Sequence, residues 1–268
     1  MQSMELPLVV FTVLSQASAG LALMGTVAAC GNSDYAPGKR EWLVISGLMI
    51  LGIFGSLFHL GHPFKAYLAL SHLDKAWLSR EVLAAGFFVP VALAAAFTAD
   101  RNEGKGASPV LGIMAVVLGI VTVLASGMTY APPALPAVNN ALPAVFFMIS
   151  AVVLGSGFAS WFAGKDLQPM LARVFTCALV VGLVITLVAP CVWLSGGAVM
   201  RATAFAWLAS PLYWFHVIAG FAVPLFVIWR SRSIPVWLPV LILVAELAGR
   251  AAFFSDTLHA ASNMGMPY

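Results

Sequence analysis

Residues 109–130 read PVLGIMAVVLGIVTVLASGMTY, a run of 22 residues without one charged side chain. At about 1.5 Å of rise per residue this makes a helix of roughly 33 Å, enough to cross the hydrocarbon core of a bilayer. Lipid offers no partner to a backbone N–H or C=O, so a segment this apolar has to satisfy its own backbone as a helix. Pro109 suits the first helical turn, where a missing N–H costs little.

Outward from this segment the pattern repeats. Apolar stretches lie at 6–30, 42–60, 80–99, 109–130, 143–163, 171–194, 206–229 and 234–254, which predicts an all-α polytopic membrane protein, a bundle of eight transmembrane helices. Of the 268 residues 62% are hydrophobic and 9% charged, and the mean hydropathy is +0.99, which no soluble domain matches. The loops are too short for a second folded unit, so residues 1–268 read as one integral membrane domain. Any hydrophilic catalytic machinery then belongs to other subunits. The N-terminus lacks the positive region of a signal peptide and runs into a stretch too long for one, so it reads as a retained first span.

Lys and Arg in alternate connections set the orientation. The connections after spans one, three, five and seven hold Lys39, Arg40, Arg101, Lys105, Lys165, Arg173, Arg230 and Arg232, eight in all, against five on the other side: Lys65, Lys75, Arg80, Arg201 and Arg250. Both termini are therefore predicted outside, in the periplasm. The net charge of +3 forms no basic run of the kind that follows nucleic acid. Cys30, Cys177 and Cys191 stand singly, without metal-binding spacing, and read as packing residues, so no metal is expected in this protein. Gly47, Gly52 and Gly55 in span two, and Gly112 and Gly119 in span four, allow close approach of helices.

The ionisable residues gather toward the outer side. Span two ends in Leu57-Phe58-His59-Leu60-Gly61-His62-Pro63, and span three begins with Leu78-Ser79-Arg80-Glu81. Between them lies a polar and aromatic connection holding Lys65, Tyr67, His72, Asp74, Lys75 and Trp77. In span eight Glu246 and Arg250 stand four residues apart and are expected to pair on one helix face. Gln16 lies about halfway into span one.

A charge in hydrocarbon costs several kcal/mol unless paired or solvated, so such residues mark functional sites. A histidine with a pKa of about 6.5 and a carboxylate at a membrane edge suit a quinol, whose hydroxyls lose protons as its electrons leave. The competing structural reading makes His59 a helix-end cap, pairs Glu81 with Arg80 or Lys65, and makes Glu246 and Arg250 a fastening for span eight. A further alternative is a b-type cytochrome. Haem needs two axial ligands facing each other from different helices, and His216, expected near the middle of span seven, would have to pair with His59 or His62 from the outer edge. A transporter or scaffold without redox role is the third reading.

The protein resembles, over essentially its full length, the membrane-anchor subunit family of dimethyl sulfoxide reductase, the DmsC family. The resemblance is carried by Glu5-Leu6-Pro7-Leu8 with Phe11-Thr12-Val13 and Gln16, by His59-Leu60-Gly61-His62-Pro63 with Lys65, by Leu78-Ser79-Arg80-Glu81, and by Ala245-Glu246-Leu247-Ala248-Gly249-Arg250. It implies a haem-free anchor in the cytoplasmic (inner) membrane of a bacterium. That anchor oxidises menaquinol, its bound substrate, near the periplasmic face, releases protons there, and passes electrons to an iron–sulfur subunit with [4Fe–4S] clusters. That subunit in turn feeds a molybdopterin catalytic subunit. Carried over by residue, His59 and Glu81 are the catalytic pair. Gly61, Pro63, Lys65, Arg80, Glu246, Arg250 and Gln16 complete the expected quinol site. Lys65 stands where the family has an arginine, giving a point charge in place of a bidentate fork.

Overall fold

The computed structural model describes residues 6–31, 35–59, 63–101 and 107–260, the side chains of 59, 63–66, 100 and 101 excepted. Among them are eight helices long and apolar enough to cross a membrane. In sequence order the helices are α1 (Leu6–Gly31), α2 (Lys39–Ser56), α3 (Trp77–Arg101), α4 (Pro109–Thr129), α5 (Leu142–Ala159), α6 (Gln168–Leu194), a short α7 (Ala198–Ala209), α8 (Pro211–Ser231) and α9 (Leu238–Asp256). All but α7 are spans. The molecule is thus an all-α, multi-pass membrane protein. The end of the bundle that holds the start of α1 and the end of α9 is called the terminal face below.

Polarity is arranged inside out relative to a soluble bundle. On α4 the large residues Val110, Ile113, Val117, Val121 and Leu124 are exposed along one stripe, while Gly112, Ala115, Gly119, Thr122 and Ser126 are buried on the other. Lipid is as apolar as valine, so nothing drives large side chains inward; small residues let backbones approach and gain dispersion contacts. The closest approach is between α1 and α5. A Cβ on Gly20 would collide with the carbonyl of Ala151, and one on Gly155 with the backbone of Gly20 itself. Helix α1 is consequently the most enclosed span, packed by α2, α4, α5 and α9.

Two features near the terminal face depart from a plain reading of hydropathy. Span seven begins at Pro211, not at residue 206: Ala206 to Ala209 belong to α7, and Ser210 is extended at φ −77° and ψ 123°. Proline disfavours helical geometry in the residue before it and fits the first turn of the helix after it. His216 is therefore about 8 Å from the start of its helix and not near its middle. Within α8, His216–Ala222 is a π-helical segment, a widened turn of the kind that recurs at functional sites.

Candidate functional site

His59 closes α2 in a short 3-10 turn, Leu57–His59, and Pro63 and Lys65 fall in a second 3-10 segment, Pro63–His72. Gly61 and His62 lie outside the described residues. The connection is tied to α3 by side chains of the Leu-Ser-Arg-Glu motif. Ser79 donates its hydroxyl to the carbonyl of Ala69 at 2.5 Å. Arg80 donates from Nε to Leu73 O at 3.0 Å and from its terminal nitrogen to Asp74 O at 2.9 Å, with its guanidinium 4.4 Å from the Trp77 ring centre. Arg80 thus holds the connection, and its donors are not aimed at Glu81.

Glu81 lies one turn inside α3, because the helix starts at Trp77. Its side chain is enclosed, with 1% of the residue exposed. Ser126 and Thr129 of α4 are the hydroxyl residues facing it, yet neither closes a hydrogen bond of normal geometry. Both Glu81 oxygens and Ser126 Oγ are without a partner, while Thr129 donates to Ala125 O at 2.8 Å. A buried carboxylate with both oxygens open to a donor is uncommon enough to call for an explanation.

A second polar cluster joins four spans. Arg250 donates from one terminal nitrogen to Gln16 Oε1 at 2.9 Å and to Ser150 Oγ at 3.2 Å. Ser150 in turn donates to Glu246 Oε2 at 2.7 Å, and Glu246 Oε1 faces His216 Nε2 at 3.4 Å. The expected pairing of Glu246 and Arg250 is therefore relayed through a serine from α5. The guanidinium lies 3.7 Å from the ring centre of Phe147, a cation–π contact that compensates part of its desolvation. Gly249 makes room for His216: a Cβ there would collide with the imidazole, and one on Gly220 would reach its Cδ2 at 2.8 Å. A cavity of about 30 Å³ adjoins the cluster, lined in part by Thr186, Tyr213, His216, Glu246 and Arg250. It has room for water and not for a quinone ring.

Of the sequence-predicted residues, the structure brings Gln16, Glu246 and Arg250 together and sets Arg80 to another task. Ser126 and Ser150 escaped the sequence reading, since an intrahelical serine in an apolar run carries no signal of its own. Glu41 escaped it too: at the opposite face it is buried and accepts from the Tyr35 hydroxyl at 2.7 Å. Burial, and next the Glu41 carboxylate, push the Tyr35 phenol well above its ordinary range, so it stays a donor. Among the described residues no three His, Cys, Asp or Glu side chains come together as a metal site would require.

Residues 1–255 match the protein family described as DMSO reductase anchor subunit (DmsC). The sequence is 32% identical over 91 residues to the C subunit of the anaerobic dimethyl sulfoxide reductase of Haemophilus influenzae, covering 33% of each. It is 34% identical over 90 residues to the anaerobic dimethyl sulfoxide reductase subunit YnfH of Escherichia coli, covering 32% of each. The matched stretch thus spans about a third of the length of these curated relatives.

Proposed function

The protein belongs to the DMSO reductase anchor subunit family, and from that premise we propose that it oxidises menaquinol at its terminal face, with His59 and Glu81 as the proton acceptors. The observation that carries this reading is Glu81, enclosed one turn inside α3 with both carboxylate oxygens unpartnered. A quinol hydroxyl is the donor such a group lacks. His59 closes the facing end of α2 and serves the second hydroxyl. Arg80 ties the connection that carries Pro63 and Lys65 to the start of α3 through Leu73 and Asp74.

Oxidation of one quinol releases two protons and two electrons. The electrons leave through the [4Fe–4S] clusters of a partner subunit and reach a molybdopterin catalytic subunit, which performs the terminal reduction. The protons are taken by side chains of this subunit and released on the terminal face, the outer side by the Lys and Arg distribution and the periplasmic side of a bacterial inner membrane on the family reading. The Gln16–Arg250–Ser150–Glu246–His216 cluster lies in the same terminal half of the bundle. His216 Nε2 is directed at Glu246 there, a hydrogen-bonding role that favours the quinol reading over axial ligation of haem.

The test is quinol-driven turnover of the purified complex in His59→Ala and Glu81→Gln variants, beside turnover with an artificial donor that feeds the hydrophilic subunits directly. The reading expects the first to be lost and the second retained. Equal loss of both, or loss of neither, overturns it.

A further inference from the structure

Nine buried side-chain polar atoms lack a hydrogen-bond partner among the described residues, and five of them lie in one layer beneath the terminal face: Glu81 Oε1 and Oε2, Ser126 Oγ, Gln16 Nε2 and Arg250 Nε. Counted along their helices, these residues and Ser150, Glu246 and His216 all sit about 5 to 15 Å from the terminal ends of their spans. They come from six different spans. Glu81 faces Ser126 across α3 and α4. Helices α1 and α4 run antiparallel, with Gly119 against Ala19 and Gly112 against Thr26. That register sets Ser126 level with Thr12, one turn from Gln16. From Gln16 the contacts run on without a break through Arg250 and Ser150 to Glu246 and His216.

We propose that this belt is a lateral proton line, carrying protons released at Glu81 through the bundle, within its terminal half, to His216 on the other flank. The proposal rests on the quinol reading of Glu81. The unpartnered atoms mark where internal waters bind, because a buried donor or acceptor left alone costs about 1–3 kcal/mol and buried water is the ordinary remedy. A proton on Glu81 passes to water held by Ser126 and Gln16. Arg250 does not carry it, being permanently charged; its Nε positions the next water. That water hands a proton to Ser150 Oγ as the serine's own proton moves to Glu246 Oε2, so one O–H bond forms as another breaks at each step. The Glu246 carboxyl then turns to present that same proton to His216 Nε2, where an N–H bond forms as the Glu246 O–H bond breaks, and the imidazolium gives up a proton to water in the adjoining cavity, the His216 side chain being 15% exposed.

The groups that face this line from each packed helix are few. They are Thr12 and Gln16 on α1, Thr129 on α4 with Tyr130 just beyond it, Tyr213 on α8 and Thr186 on α6, with Glu246 and Arg250 on α9. Arg250 is the permanently charged group opposing Glu246 in this cluster, so a proton arriving at Glu246 meets a balanced site. The line never leaves the terminal half of the membrane, and the proposal therefore keeps quinol oxidation electroneutral.

The experiment uses the whole complex in liposomes with a pH dye outside, comparing wild type with Gln16→Leu, Ser126→Ala and His216→Gln. The line predicts unchanged binding of a fluorescent quinol analogue in Ser126→Ala and His216→Gln, quinol-driven turnover down at least threefold for Ser126→Ala and tenfold for Gln16→Leu and His216→Gln, and proton appearance lagging electron transfer. Free imidazole should restore a His216→Ala complex, whose emptied ring position it can occupy, a readout that a packing role would not move. Turnover within twofold of wild type in Ser126→Ala and His216→Gln overturns the line, as does a slow His216→Ala complex that imidazole leaves slow. If Glu81→Gln keeps full turnover, it is the quinol reading that has failed.

Discussion

Replacing Arg250 by methionine should destabilise the bundle more than any other single change near its terminal face. The side chain is 4% exposed and makes hydrogen bonds of 2.9 Å to Gln16 and 3.2 Å to Ser150, with its guanidinium 3.7 Å from the Phe147 ring centre. Methionine fills much of the same volume but leaves the Glu246 carboxylate buried without its cation and Gln16 Oε1 without a donor. Breaking a buried charge pair from one side costs about 3–5 kcal/mol. For a protein of this size that corresponds to a fall of roughly 6–20 °C in the unfolding midpoint, measured by thermal unfolding in detergent. The Arg250→Met, Glu246→Gln double variant removes the orphaned charge and should recover more than half of the loss. A single variant within about 1 kcal/mol of wild type, or a double variant as unstable as the two single losses added, would show that the cluster is not held together electrostatically.

Further outcomes follow from other parts of the bundle. Gly20→Val places a side chain where the Ala151 carbonyl and Gly155 now lie; it should force α1 from α5 and abolish assembly, whereas Gly47→Ala, with open space around it, should leave yield unchanged, both read from the amount of folded protein in membranes. Arg80→Ala removes two hydrogen bonds to the connection and should raise cleavage by added protease between residues 63 and 76 several-fold, with a stability loss of only about 1 kcal/mol given its partial exposure. A reduced-minus-oxidised optical spectrum of the purified complex should show no b-type haem bands; bands lost in His216→Ala would establish the cytochrome reading.

The spans were legible because hydropathy over about 20 residues reports the solvent directly, and on α4 even the lipid-facing stripe follows from where the valines and glycines fall. The start of span seven was not. Ala206 to Ala209 are as apolar as the helix that follows, and the break is made by one proline acting on the backbone of Ser210. Reading Pro211 as a first-turn residue, as with Pro109, would have found it. Glu81 and the Glu246 to Arg250 spacing could be picked out because ionisable groups are rare in apolar runs. Their surroundings could not be. Ser150 bridges residues 96 and 100 positions away in sequence, and Ser126 meets Glu81 only through the packing of α3 on α4. The π-helical segment at His216 has a local mark in Pro224 just beyond it, which cannot donate to the carbonyl four residues back, whereas the space its imidazole takes, left by Gly249 and Gly220, is set by tertiary packing.

The most direct test of the central claim is binding of a fluorescent quinol analogue to the detergent-purified complex, in wild type and in His59→Ala and Glu81→Gln. The account predicts tight binding in wild type and its loss in both variants. Absence of binding in wild type, or binding unchanged in the variants, would contradict it.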